Sequence, residues 1–514
     1  MLVDHSLAIL YILAFFFAIL YIYSHAASPL RSIQGPFLAR FSRLWYFSAV
    51  SSGRFETINA SLHAKYGKIV RLAPNQYSIS DPSAIQTIYK TRHGETPFRK
   101  SDFYSAWQAP NKPNIFTERD PVAHTRDRKK FHAAYTMSTM TTYEKYVDDC
   151  VEILCRRMEE VQQSGKEVDM SWWLQCFAFD VIGEISFSKR FGFLDRGEDQ
   201  SGLIENVHRT TKYSVLMGMF PEWHVFYFNT LQLLGKLGFG KGAGKQYLRD
   251  FTFRSMGERQ KKVKKERDVT TTAEDDNYMP KDFMTKFIEQ HQRDPTHFTL
   301  DDTINGVLGN INAGSDTTGV ALSAIMYYLL ASPRVLQRLR DELSQQQVSD
   351  PTTFKEVQSL EYLQAVIKEA MRLHPSIGVQ LPRVVPKGGA IITGQFFPGE
   401  TIVGLNPYVL HHDKDVFGGD ADAFRPERWL RSECDAATLA RMENTWCPFG
   451  AGSRTCIGKN VSLLEMSKLV PQLVRRFDFE MSDGLEREGL KTYNEFFIQI
   501  RNLRLKVVKR RLEV

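Results

Sequence analysis

At 514 residues the chain is long enough for more than one domain, and an apolar fraction of 43% with 35 phenylalanines supplies a sizeable core and excludes global disorder. The net charge of +7, from 66 basic against 59 acidic residues, is small for this length and points away from nucleic acid as a partner. Six cysteines, at 150, 155, 176, 434, 447 and 456, are too few and too scattered for a disulfide framework, which suits a reducing compartment; no second ligand pair beside Cys447 and Cys456 completes a zinc site.

Residues 6–24 contain no charged side chain and are dense in Leu, Ile, Phe and Tyr. At 1.5 Å per residue such a helix spans about 29 Å, enough to cross a hydrocarbon core. A cleaved signal peptide is the rival reading, with Ser24-His25-Ala26 as its small-residue site, but Asp4 and His5 are not a basic leader. The expectation is therefore a membrane anchor over residues 1–28 and one catalytic domain over 29–514. Arg31, Arg40 and Arg43 follow the span while Asp4 precedes it, which leaves the C-terminal bulk on the cytosolic side.

Pro29 and Gly35-Pro36 punctuate a stiff connector. Residues 69–72 and 76–79 read as two strands of a hairpin around Pro74-Asn75. Residues 103–119 are loop-like, with Pro110 and Pro113 among Tyr104, Trp107 and Phe116. Pro121 suits a helix first turn, and His124 and Arg128, four apart, share one face of that helix. On residue types alone that face is a solvated cationic one. Residues 177–193 predict a helical core segment, their aromatic stripe serving packing. Residues 216–239 are strongly apolar and interrupted by Pro221 and Gly235; a buried helical hairpin fits them as well as a surface lid does. The charge run 261–267 and the polar stretch ending at Pro280 read as a solvated helix end and a surface loop.

Thr299 as cap and Asp302 at the capping-box position start a helix whose periodicity runs to Ser332, where Pro333 stops it. Such a helix is about 50 Å long, yet it carries Gly306, Gly309, Gly314 and Gly319, each costing roughly 1 kcal/mol relative to Ala. That cost predicts close approach or a local opening, placed at Ala313-Gly314-Ser315-Asp316-Thr317-Thr318, where a threonine hydroxyl can bond a carbonyl one turn back. Further on, Glu369 and Arg372 lie three apart on one helix face, Leu381-Pro382-Arg383 follows, and Arg428 sits in Phe424-Arg425-Pro426-Glu427-Arg428-Trp429. Last comes Phe449-Gly450-Ala451-Gly452-Ser453-Arg454-Thr455-Cys456-Ile457-Gly458. Three glycines there predict a tight turn with close backbone approach, and the apolar spacing of 459–477 puts Cys456 at a helix entrance. The helix dipole at that place favours a lowered thiol pKa.

The decapeptide resembles the haem-binding loop of the cytochrome P-450 family, and the other motifs occur in that family's order from about residue 29 onward. The resemblance implies a mainly α fold with a small β region. It implies heme b held by Cys456 as metal ligand, with His124, Arg128, Arg383, Phe449, Arg454 and Gly458 binding the cofactor. Asp316 and Thr317 match the acid–alcohol pair that relays protons, and Glu369, Arg372 and Arg428 match a buried structural triad. It further implies a monooxygenase of lipophilic small molecules at the endoplasmic reticulum membrane, single-pass and facing the cytosol, with NADPH electrons from a cytochrome P-450 reductase. Residues 177–193 are similar to fungal secondary-metabolite members of the pisatin demethylase type, and 216–239 to a lid that meets the membrane.

Two other classes share such a ligand loop: an isomerase or dehydratase that uses no O2, and a non-catalytic haem protein. The intact Asp316–Thr317 pair speaks against the first, and an aromatic-lined access route against the second. By the same resemblance the substrate pocket is expected to be lined by Trp107, Ile115, Phe116, Asn310, Ala313, Ile377, Val379 and Phe497, with Asn310 either reaching substrate or packing beside the haem.

Overall fold

The computed structural model describes residues 29–90, 96–199, 201–237, 252–258 and 281–510, together with positions 12, 15, 16, 19, 250 and 261. Of the expected anchor over 1–28 only positions 12, 15, 16 and 19 are described, all helical and exposed, and the polar stretch 262–280 lies outside the described residues. Among the described residues no single helix is long and apolar enough to cross a membrane.

The fold is mainly helical, with small sheets at its edges. Eight helices frame the site: α1 (Pro121–His132), α2 (Glu144–Ser164), α3 (Met170–Phe187), α4 (Leu203–Met217), α5 (His224–Lys236), α6 (Leu300–Leu330), α7 (Glu361–Leu373) and α8 (Lys459–Arg476). The expected hairpin forms as β1 (Ile69–Ala73) and β2 (Gln76–Ile79), antiparallel with Ile69 opposite Ile79. With β3 (Arg99–Lys100), β4 (Arg383–Val384) and β5 (Ile402–Leu405) it makes a sheet of order β1-β2-β5-β4-β3. In this sheet β3 and β4 are antiparallel, which sets Lys100 directly opposite Arg383.

The long helix α6 is the axis of the molecule. Its expected capping box is present: the Asp302 amide donates to the Thr299 hydroxyl at 3.1 Å, and the Thr299 amide to the Asp302 carboxylate at 2.8 Å. It ends at Leu330, and Pro333 opens the next helix, where its missing N–H costs nothing. Its glycines divide by side. A Cβ on Gly314 would meet Ile182 of α3 at 2.4 Å, and one on Gly319 the Gln175 Cα at 3.1 Å, so α3 and α6 cross at a distance that larger residues would not permit. A Cβ on Gly306 would meet Phe287 at 2.7 Å, whereas one on Gly309 would meet nothing within 4 Å. The helix runs unbroken through 313–318, so the expected local opening does not form there; at Gly314 the alternative, close approach, holds instead.

Helix α3 ends earlier than the aromatic stripe suggested. Ser188 adopts a left-handed conformation after Phe187, and Phe193 returns to pack on Phe179 at 5.6 Å between ring centroids. The Glu369 carboxylate at the end of α7 is fully buried and receives Arg372 Nε and Nη2, Arg428 Nε and Trp429 Nε1, each at 2.8 Å. Arg372 also donates to the carbonyls of His411 (2.6 Å) and Ala421 (2.7 Å), and Arg428 to that of Phe417 (2.6 Å). A buried charge is tolerated only when its lone pairs and protons are satisfied in this way.

Candidate active site

The Cys456 loop is shaped by its glycines and anchored from behind. Gly450 and Gly452 take positive φ (73° and 69°), and a Cβ on Gly452 would lie 1.7 Å from the Tyr89 carbonyl oxygen, so only glycine fits. The Cys456 amide donates to the Phe449 carbonyl at 2.9 Å, closing the turn. The Cys447 amide donates to His411 Nε2 at 2.9 Å, and the rings of Trp429, Trp446 and Phe449 meet edge to face at 6.5 and 6.1 Å. A continuous set of contacts thus runs from the Glu369 triad to the loop.

Gly458 caps α8, which places Cys456 at the helix entrance as expected. A Cβ on Gly458 would lie 3.9 Å from the Cys456 sulfur. The expected lowering of the thiol pKa is not what the environment does. Burial pushes it up, and the Gly458 and Lys459 amides, with the Arg128 charge, offset only part of that rise. The helix-dipole argument considered the nearest peptide units and left out the desolvation of a thiolate by the rest of the domain. Yet Cys456 is the one exposed cysteine of the six, Cys434 being half-buried and the other four buried. A thiol both accessible and desolvated suits a ligand whose proton leaves when a metal arrives.

Helices α6 and α8 are tied together beside this loop. Thr318 and Ser462 share a hydrogen bond of 2.8 Å, Asn460 donates to the Tyr135 carbonyl (2.9 Å), and the Tyr135 hydroxyl donates to Asn310 Oδ1 (2.6 Å). Asn310 also donates to Ser186 Oγ at 3.2 Å, so both ends of its amide take part in packing. At successive turns after Gly309 stand Ala313, which is exposed, and Thr317, whose hydroxyl donates to the Ala313 carbonyl at 2.8 Å as expected. Asp316 and Thr317 are not joined to each other. The Asp316 carboxylate is buried on another face, where Oδ1 accepts from Gln175 Nε2 (2.5 Å) and lies 3.1 Å from His208 Nε2.

Five basic side chains gather near the loop. His124 and Arg128 come from α1, whose first turn holds Pro121 and is capped by the Asp120 carboxylate; Arg383 comes from β4, Arg454 from the loop, and Lys100 from β3. Burial, then the charges of Arg454, Lys100, Arg128 and Arg383, depress the His124 pKa to about 3. Burial and Arg383 bring Arg454 down to about 10, and burial with Arg383, Arg454 and Arg128 holds Lys100 well below its ordinary value. Arg454 donates to the Glu118 carbonyl (2.5 Å), Arg383 to the Tyr104 hydroxyl (3.1 Å), and Lys100 to the Phe116 carbonyl. Among the described residues none of the five makes an ion pair with a carboxylate. Burying like charges together, two of them directly opposite in a sheet, is destabilising unless an anion joins them. The donor set therefore fits a group that brings two carboxylates, as haem does with its propionates.

Lys100 is absent from the sequence-based expectations. Its only sequence signal is a lysine just ahead of an apolar loop, and its role comes from the long-range pairing with β4. Of the expected pocket residues, Trp107, Ile377, Val379 and Phe497 join one apolar cluster, and Phe116 meets Trp107 at 5.7 Å between centroids; Ile115 packs on a different cluster.

The sequence profile of the family described as Cytochrome P450 matches residues 36–507. A protein named pisatin demethylase, from Fusarium vanettenii, is 39% identical over 464 residues, covering 90% of this chain and 86% of its own length. A cytochrome P450 monooxygenase of Aspergillus terreus is 39% identical over 461 residues, 87% of this chain and 90% of that one. The cytochrome P450 monooxygenase cicH of Emericella nidulans is 35% identical over 486 residues, 92% and 94%.

Proposed function

Because the chain belongs to the cytochrome P450 family and is a monooxygenase, we propose that it inserts one atom of O2 into a lipophilic small molecule of fungal secondary metabolism. Electrons come from NADPH through a cytochrome P-450 reductase at the endoplasmic reticulum membrane, with the catalytic domain in the cytosol. The observation that carries the reading is the group of five basic side chains, with no carboxylate ion pair among the described residues, around an accessible cysteine.

Haem bound there supplies the oxidative chemistry. Cys456 would be its ligand; His124, Arg128, Arg383 and Arg454, with Lys100, would hold its propionates; Phe449 and Gly458 shape the space around the sulfur. The stripe of Gly309, Ala313 and Thr317 keeps room on the helix side, and Asp316 with the Thr317 hydroxyl holds the protons the reaction consumes. The apolar cluster of Trp107, Ile377, Val379 and Phe497 orients a lipophilic substrate and excludes water. Anchoring by residues 1–28 is supported by the apolar surface beyond them. Phe37, Leu38 and Leu44 are exposed, as are Trp223, Phe226 and Leu233, and Arg43 joins the two segments by donating to the Met219 carbonyl at 2.8 Å.

Turnover that requires both NADPH with reductase and O2 separates this reading from an isomerase, which needs neither. Within it, Thr317→Ala retains haem and substrate binding while product formation falls by about 10²-fold, electrons appearing as hydrogen peroxide. Full coupling in that variant removes Thr317 from the mechanism. Lys100→Met has effects of opposite sign on the two forms of the protein. Removing a buried, unpaired cation raises the melting temperature of the haem-free chain, and haem is then retained roughly tenfold less tightly, about 1.4 kcal/mol. Titration of the haem-free protein with hemin, alongside thermal melts, checks both signs.

A further inference from the structure

Asp316 is held in a way that a proton can change. Three polar atoms lie within mutual hydrogen-bonding distance: Gln175 Nε2 is 2.5 Å from Asp316 Oδ1 and 2.8 Å from His208 Nε2, and His208 Nε2 is 3.1 Å from that same Oδ1. Asp316 Oδ2 is buried and has no hydrogen-bond partner among the described residues. His208 stands on α4 with about a third of its side chain accessible, whereas Asp316 is fully enclosed.

We infer that His208 is a positioning residue that holds Asp316 when protonated and releases it when neutral, with Gln175 as the second arm of the clasp. The inference rests on the proton-relay reading of Asp316 given above. Donor and acceptor bookkeeping supplies the two states. In the imidazolium ring Nε2 carries a proton and can only donate, so it and Gln175 both donate to Oδ1. In the neutral ring with its proton on Nδ1, Nε2 becomes an acceptor. One N–H of the Gln175 amide then turns to it, and Asp316 keeps a single donor. A carboxylate with one oxygen already unpartnered and the other half-released is free to turn toward its neighbour Thr317.

The surrounding charges move this change upward from the ordinary histidine value. Burial alone lowers the His208 pKa, but the Asp316 charge and hydrogen bond, with a contribution from Glu495, outweigh it and the Arg501 charge, and the net shift is upward. From α3 the neutral Gln175 faces the ring; from the segment around residues 495–501, Glu495, itself paired with Lys212 of α4 at 2.9 Å, and Arg501. The raised folded-state value fixes the sign. The stabilisation from the His208–Asp316 pair is fully present below the ordinary histidine value of about 6.5 and is lost as pH rises through the folded-state value.

The test uses full-length holoenzyme with reductase and NADPH, without added substrate, from about pH 6 to about pH 8.5. Each NADPH then reduces O2 by two electrons to hydrogen peroxide, or two NADPH reduce it by four to water; the measured quantity is peroxide per NADPH. Wild type is expected to shift this ratio toward water by about tenfold as pH rises, the worth of one charge-assisted hydrogen bond. His208→Lys stays on the peroxide side throughout, and in His208→Gln the ratio is flat with pH. An identical pH dependence in wild type and His208→Gln overturns the inference. A second arm needs no turnover: the melting-temperature difference between wild type and His208→Gln is expected to be largest near pH 6 and to shrink by about pH 8.5. A pH-independent difference overturns the clasp. If no NADPH is consumed at any pH, the oxidation reading fails, and the melting arm still decides the clasp by itself.

Discussion

Cys456→Ala folds but never shows the thiolate-type haem absorption on reduction under carbon monoxide, and product-forming turnover falls by more than ~10³-fold, because the oxidative chemistry belongs to the ligated cofactor. No other sulfur can stand in. Cys150, Cys155, Cys176 and Cys447 are buried, with burial pushing Cys155 and Cys447 up to about 12, and Cys434 sits in a different part of the fold against the Asp435 carbonyl. The substitution leaves the fold standing because the thiol is accessible, so its loss costs about 0.5 kcal/mol or less. An imidazole-type spectrum in the wild-type protein, or retention of the thiolate spectrum by the alanine variant, would remove the assignment.

Glu369→Ala is the largest expected loss of stability. The carboxylate receives two buried guanidinium groups and an indole, and the Arg425 amide donates to it at 3.1 Å. Deleting it strands Arg372 and Arg428 as buried charges, a defect of about 3–5 kcal/mol, a large part of a typical domain's total. Glu369→Gln keeps one acceptor oxygen and loses the charge, and is expected to fall between. Denaturant midpoints measured with and without haem check this, and haem loss is expected to accompany unfolding, since the His411–Cys447 and Trp429–Trp446–Phe449 contacts carry the triad's position to the ligand loop. A change under 1 kcal/mol would place the triad among exposed surface pairs, whose worth is about that size.

The features legible in the sequence are those in which cause and effect lie a few residues apart. The capping box at Thr299, the hairpin at 69–79, the Thr317 back-bond and the helix entrance after Cys456 are local hydrogen-bonding decisions. What the chain order hides depends on distant partners. Lys100 acquires its meaning only opposite Arg383, some 280 residues on. The Cys456 thiol pKa moves the other way because desolvation sums over the whole domain, and Asn310 is claimed by Tyr135 and Ser186 from two other segments. Asp316 follows the same pattern: its motif is local, but its hydrogen bonds are chosen by α3 and α4.

The division of the α6 glycines sets where this enzyme can change. At Gly314 a methyl would force the Ile182 side chain to move and at Gly319 it would press on the Gln175 backbone, whereas at Gly309 it would enter open space. Residue size can therefore be changed at one edge of the helix, altering what fits beside it, without unsettling the frame.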